Sequence, residues 1–344
     1  MTAKKVILVI GATGAQGMPV VSALLAAHEG NPSPYSVRAL TRNPTSKQAQ
    51  ALASLGAQLF EGRFDDMSSL AAAYEGCYGV FVNTDTSSVG QKMEIYAAIK
   101  MFEQAHRTPE MRHFIWSSLD YSSKLGNYDP IYRATHMDAK GIVNDFLRSQ
   151  PSSTAGESLT WSIMTTGPYM ENLAGVMLGP LPRRENGAVV FVTPVEDGHI
   201  PAISLEDIAW WTRYTFDHRS ETSGQELKIA TEMITVDQVV ETFTRVTGIP
   251  AIRKRISIEE YLAVHPHFSF PFVKGEQGPS IGETFSAMYR VWRDNLVTRD
   301  MEWIRRIHPT GYTLESWMKE KGYVGNLSPD LKRLKSSAEL KSLL

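Results

Sequence analysis

The sequence predicts an α/β protein, a doubly wound parallel sheet followed by a smaller α/β lobe, and three observations carry that reading. The first half alternates short β-rich runs with longer helical patterns. The short runs are apolar at successive positions, as strands covered by helices on both faces are. A glycine-spaced turn joins the first run to the first helical pattern, where doubly wound folds begin.

The elements follow in order. VILVI (6–10) is the first strand, and a helical pattern covers 16–28. SVRALT (36–41), AQLFE (57–61), YGVFVNT (78–84), HFIWSS (113–118) and LTWSIMT (159–165) are the next five strands. Helical patterns at 45–54, 67–74, 89–106 and 132–149 lie between them. Pro151 closes the last of these, and PSSTAGE (151–157) reads as a surface loop. Beyond residue 166 the alternation loosens, with strands expected at AVVFV (188–192) and ELKIAT (226–231) and helices near 205–217, 235–247 and 281–306. The Pro/Gly-rich piece at 265–280 is expected to be an irregular, mobile loop. Leu327, Leu331 and Leu334 share one helical face in the tail, which reads as a helix packed on its own protein. The division expected is 1–166 for the sheet domain and 167–344 for the smaller lobe, the two interleaved in one unit.

Bulk properties exclude several classes. A formal charge of -2 gives no broad attraction to nucleic acid or anionic membrane. The lone Cys77 excludes an internal disulfide framework and reads as packing rather than a reactive thiol. No apolar run reaches the roughly 18 residues that span a bilayer. MTAKKVILV enters a strand directly, with no signal-peptide pattern, so a cytoplasmic and also nuclear location is expected. His265 and His267 lack a further ligand cluster, so no metal site is expected.

The first turn carries chemistry. Gly11, Gly14 and Gly17 read G-x-x-G-x-x-G, with Ala12 at the usual second glycine position. A strand, a tight turn, close backbone approach and a helix N-terminus are what a dinucleotide pyrophosphate needs. Thr13, Ala15 and Gln16 complete that loop. The second strand ends in Thr41-Arg42-Asn43-Pro44, without the carboxylate that accepts from a ribose 2′-hydroxyl. Arg42, with Lys47 one turn on, instead suits a 2′-phosphate, which points to NADP(H). Asp65 and Asp66 lie near the adenine or cap the following helix.

These pieces, in order and spacing, resemble the NmrA-like family of atypical short-chain dehydrogenases. The matching segments are GATGAQG (11–17), TRNP (41–44), FDD (64–66), SS (117–118), HMDAKG (136–141), GPYMENL (167–173) and YTLESWMKEK (312–321). The resemblance implies a Rossmann-type, NADP(H)-binding fold whose second lobe takes a small substrate. Active short-chain dehydrogenases carry Tyr-x-x-x-Lys with an upstream Ser, the Tyr serving as general acid/base. Here the segment keeps Lys140, which would hold the nicotinamide ribose, but has His136 at the tyrosine position, where it would supply a proton near neutral pH; with Ser117 and Ser118 ending the fifth strand, these residues would surround the reacting centre. Asn83 and Thr84 would border the cofactor, and Pro168, Tyr169 and Asn172 would line the nicotinamide. Bulky residues from 265–280 would join Tyr169 in an apolar pocket for a flat ligand. Tyr121, Tyr132 and Tyr169 remain open as alternative proton donors.

The family reading implies an NADPH-dependent reductase of a small carbonyl, enone or quinone-like substrate. The alternative is a non-catalytic NADPH sensor that regulates a protein partner or its own dimerisation.

Overall fold

The computed structural model describes residues 3–27, 30–275 and 277–327. Leu331 and Leu334 of the tail lie outside the described residues. Six strands of the first half are β1 (Lys5–Ile10), β2 (Tyr35–Thr41), β3 (Gln58–Glu61), β4 (Gly79–Val82), β5 (His113–Ser118) and β6 (Thr160–Thr165). Three short strands follow: β7 (Val189–Phe191), β8 (Ile200–Ala202) and β9 (Glu226–Lys228). The last two are β10 (Glu232–Ile234) and β11 (Ala251–Arg253). The main sheet runs β3-β2-β1-β4-β5-β6-β9, with every pair parallel. Its order reverses between β1 and β4, so the ligand crevice is expected at their carboxyl ends.

Helices cover both faces because successive strand residues point to opposite sides. They are α1 (Gly17–Leu25), α2 (Lys47–Ser54), α3 (Met67–Tyr74), α4 (Thr86–Arg107), α5 (Ser122–Leu125), α6 (Thr135–Arg148) and α7 (Leu205–Asp217). Ile7, Val9, Phe81 and Ile115 face Val20 and Leu24 of α1 and Trp211 of α7. Leu8, Ile10, Val80 and Trp116 face Leu70 of α3, Ala97 and Met101 of α4 and Val143 of α6. Cys77 is buried in this second cluster, and burial pushes its thiol up to about 11. Among the described residues no helix is long and apolar enough to cross a membrane.

The second lobe adds α8 (Arg219–Thr222), α9 (Val236–Thr247), α10 (Ile258–Ala263), α11 (Ile281–Arg293), α12 (Met301–Ile307) and α13 (Leu314–Glu320). Its core gathers Phe191, Phe243, Tyr289, Trp292 and Trp317. Strands β8, β10 and β11 and helices α5, α8, α10 and α13 were not expected from the sequence, and two of the expected elements take another form. The helix expected over 281–306 is broken between α11 and α12, where Asn295 is left-handed at φ 53°. The segment expected as a mobile loop contains a 3-10 turn at Pro266–Ser269 and a bridge from Pro271 to Ser280. Phe268 and Phe272 are buried there, and that apolar anchoring outweighs the Pro/Gly composition.

The two halves of the chain interleave. β9 pairs with β6 and extends the first sheet, while α7 lies against α1 on its outer face.

Candidate functional site

The glycine turn leaves β1 at the carboxyl edge of the sheet. Gly11 has φ +80°, and a Cβ there would lie 2.5 Å from the Asn83 carbonyl oxygen. A Cβ on Gly17 would lie 2.1 Å from the Gly11 oxygen and 2.6 Å from Ala12 Cα. Both contacts fall far below van der Waals distance, so the turn closes only with glycine at these positions. Gly14 N donates to Gly11 O at 2.9 Å. Ala12 is buried in the sheet core, which accounts for its place between the glycines. Thr13 and Ala15 sit in the same turn. Gln16 precedes α1 and gives it no side-chain cap; Met18 N and Val20 N donate to Gly14 O and Gln16 O at 3.2 Å and Pro19 carries no N–H, so what the helix start offers an anion is chiefly its positive dipole end.

Arg42 is exposed at the end of β2, close enough to Asp65 to help lower that carboxyl. Arg63 holds Asp65 through two hydrogen bonds of 2.9 and 2.7 Å. Asp66 caps α3 by accepting from Ser68 N at 3.1 Å. Lys47 opens α2 as an exposed cation, behind the capping Ser46. The pair at 65–66 therefore supplies one ion-paired carboxylate and one helix cap.

Beyond β4, Asn83 meets the glycine turn and Thr84 turns inward. Lys140 Nζ donates to Thr84 O at 3.1 Å and to Thr84 Oγ1 at 2.8 Å. It also pairs with the fully buried Glu94 at 3.1 Å and lies 4.4 Å over the Trp116 ring. Glu94 accepts from the Thr84 and Thr86 hydroxyls. An ammonium has three donors, and these contacts use all three. Sequence reasoning missed Glu94, because one acid in a mixed helical stretch gives no local signal.

The serines divide between the faces of β5. Ser117 Oγ donates to Gln16 Oε1 at 2.7 Å, whereas Ser118 Oγ donates to Asn144 Oδ1 at 2.7 Å. Asn144 lies one turn after Lys140 on α6 and was also missed. Tyr132 OH donates to Asp294 at 2.8 Å, and Tyr121 packs over Gly141. Neither lines the cleft described next.

A cleft of about 270 Å³ opens between the sheet edge and the second lobe. Pro168, Tyr169 and Asn172 line it with His136, Phe272, Phe285, Met288 and Trp292. His136 stacks on Phe272 at 5.6 Å, so it forms part of an aromatic wall. Burial pushes the Tyr169 phenol up to about 12 against a hydrogen bond with Gln16, leaving it protonated at neutral pH. Asp120, another lining residue, is gripped by Arg299 at 3.1 and 2.7 Å. Both members of that pair were missed, since Arg299 comes from the connection between α11 and α12. The cleft thus collects His136 and Tyr169, while Lys140, Ser117 and Ser118 are engaged around it. Among the described residues no group of three or more His, Cys, Asp or Glu side chains could hold a metal.

The NmrA-like family model matches residues 3–306. The chain belongs to the NmrA-like family. This NmrA-like protein is 30% identical over 261 residues to an NmrA-like family domain-containing oxidoreductase from Aspergillus hancockii, covering 71% of this chain and 73% of that one. It is 28% identical over 257 residues to a second such oxidoreductase, from Malbranchea aurantiaca, covering 72% and 74%. A crystal structure of NmrA, a negative transcriptional regulator, in complex with NADP superposes with a TM-score of 0.70 at 18% identity, covering 98% and 100%. An NADPH-dependent quinone oxidoreductase from Escherichia coli, complexed with NADPH, gives 0.67 at 19% identity, covering 92% and 100%. Both are likenesses of fold.

Proposed function

We propose that this NmrA-like protein is an NADP(H)-dependent reductase of a small carbonyl, enone or quinone-like molecule, acting in the cytoplasm or nucleus. One observation carries the reading: the glycine cradle at the start of α1 stands at the sheet edge beside an aromatic cleft. The residues fit the cofactor, because the cradle leaves no room for a Cβ at Gly11 or Gly17. Gly11, Thr13, Gly14, Ala15, Gln16 and Gly17 would hold the pyrophosphate. Arg42 and Lys47 would meet the 2′-phosphate, with Asp65 and Asp66 behind them. When bound, the dihydronicotinamide supplies a hydride.

The remaining residues bind and orient. Asn83 and Thr84 form the turn beside the cofactor, and Lys140 with Glu94 fixes that turn from beneath. Ser117 sets Gln16, and Ser118 ties β5 to α6. Pro168 and Asn172 shape the cleft floor, and Tyr169 presents a protonated hydroxyl. His136 gives the substrate an aromatic surface. In this reading residues 1–166 form the cofactor platform and 167–344 the substrate-side lobe.

The test is nucleotide binding, followed by loss of NADPH absorbance over a panel of quinones, enones and aldehydes. Turnover of any panel member with NADPH, above NADH, is the expected result. A second reading, a non-catalytic NADPH sensor acting on a protein partner, draws support from the full engagement of Lys140 within the fold. Tight NADPH binding without turnover on the whole panel would favour it.

A further inference from the structure

We propose that the substrate is a neutral, planar ring compound carrying an N–H or O–H donor in addition to its carbonyl, and that Asp120 is the residue that selects it. The inference rests on the reductase reading above and names the substrate class of that same cleft.

Asp120 and Arg299 form a fork. Arg299 Nη1 donates to Asp120 Oδ1 at 3.1 Å, and Nη2 donates to Oδ2 at 2.7 Å. The remaining guanidinium donors go to backbone carbonyls: Nε to Ile229 at 3.1 Å, Nη1 to Thr298 at 2.9 Å and Nη2 to Thr166 at 2.8 Å. A guanidinium has five N–H donors, and these contacts use them all. Arg299 is therefore fixed and has nothing to give a ligand. Its side chain is fully buried, whereas that of Asp120 keeps 5% exposure and Asp120 lines the cleft. The open side of the pair belongs to the carboxylate.

A carboxylate has about four lone-pair sites, and among the described residues only Arg299 donates to this one, once to each oxygen. The guanidinium cancels the charge, so Asp120 offers a ligand a fixed acceptor edge rather than a net attraction for cations. Thr166, also in the lining, donates its hydroxyl proton to Ser118 O at 3.0 Å and keeps only oxygen lone pairs. These two side chains accept and do not donate.

Tyr169 has the opposite character. Ser117 donates to Gln16 Oε1. Burial raises the Tyr169 phenol, and Gln16 pulls the other way, the effect of a bond donated to the phenol oxygen. The Tyr169 proton is then left for a carbonyl in the cleft. Phe272, Phe285, Trp292 and Met288 supply apolar walls, and about 270 Å³ suits a bicyclic ring system. Among the described residues that line the cleft, none is lysine or arginine, so the donor that meets Asp120 comes with the ligand. A ligand lacking one would displace water from the acceptor edge and leave it unsatisfied, which is how polar pockets reject isosteres.

The experiment is calorimetric titration of the full chain, with and without NADP+. Two isosteric pairs are compared, isocarbostyril with isocoumarin and carbostyril with coumarin. Each sets a bicyclic lactam against the lactone in which oxygen replaces N–H. At least one lactam should bind about tenfold or more tightly than its lactone; equal or reversed affinities in both pairs would overturn the proposal. Asp120→Asn should bring the ratio near one, because an amide that keeps its oxygen on Arg299 turns a donor to the cleft. Tyr169→Phe should weaken lactam and lactone alike and leave their ratio in place. A ratio that survives Asp120→Asn would also overturn the proposal. On the unaltered protein, a crystal structure of the lactam complex should place the ring nitrogen within about 3.2 Å of an Asp120 oxygen, and a nitrogen directed elsewhere would have the same consequence. Failure of NADPH to bind would overturn the reductase reading alone, because the lactam preference is read without nucleotide as well.

Discussion

Arg42 and Lys140 are both cations near the cofactor turn, and their surroundings give them different work. Arg42 is exposed at the end of β2, free to form charge-assisted bonds to a phosphate. Arg42→Ala should weaken NADPH about tenfold or more while leaving NADH within about twofold, read by fluorescence titration; equal losses would remove the 2′-phosphate from its role. Lys140 is buried against Glu94, and Lys140→Met would strand that carboxylate at a cost of about 3–5 kcal/mol. Urea unfolding should show Lys140→Met combined with Glu94→Leu to be more stable than Lys140→Met alone. A double variant that is worse would deny that a stranded charge is the cause. His113 gives a pH signature. Burial holds it down to about 3, whereas the unfolded chain takes a proton near pH 6.5. The unfolded state therefore binds more protons between these values, and stability falls as pH drops, by up to about 1.4 kcal/mol per pH unit. His113→Asn should lose that part of the slope, and an unchanged slope would assign it elsewhere.

At the scale of elements, the β1 turn and α1 depend on contacts that a single methyl group destroys. Gly17→Ala puts a Cβ 2.1 Å from the Gly11 oxygen. It should abolish NADPH binding and cost about 1–3 kcal/mol from overpacking. Gly56 is the comparison, since it has φ +97° but nothing within 4 Å of a Cβ. Gly56→Ala should cost only the backbone strain of about 1–2 kcal/mol and leave nucleotide binding intact. The six strands β1 to β6 were legible because each is a short apolar run bounded by polar turns. The cofactor turn was legible because glycine spacing is a backbone requirement written in residue types. The break between α11 and α12 was not, because Asn295 in a left-handed conformation interrupts a stretch that remains periodic on both sides. The pairing of β9 with β6 was hidden too, since alternation identifies a strand but not its neighbour. Glu94, Asn144, Asp120 and Arg299 went unseen for a related reason: each acquires its meaning from a partner distant in sequence.

For the whole molecule, the first sheet is finished by the second half of the chain. Ile208, Trp211 and Phe216 of α7 share a core with Val20, Val21 and Leu24 of α1, and β9 satisfies the outer edge of β6. Residues 1–166 expressed alone should therefore unfold without a cooperative transition and bind an apolar dye, and a sharp two-state transition would contradict this. Arg299 joins the halves at the cleft through Asp120 and the Thr166 carbonyl, the latter at 2.8 Å. Arg299→Met should cost about 3–5 kcal/mol by stranding Asp120, measured by thermal and urea unfolding. The shared sheet also sets a schedule for synthesis. When residue 166 is added, six parallel strands exist with one apolar face covered only in part, by α1, and one edge unpaired. α7 and β9 are complete at residue 228, roughly 3–12 s later at ordinary elongation rates of about 5–20 residues per second, and Ile304 of α12 joins the same core later still. For that interval the nascent chain is a sticky half-sandwich, and its safe completion depends on how fast the ribosome moves and on which chaperone reaches that face first.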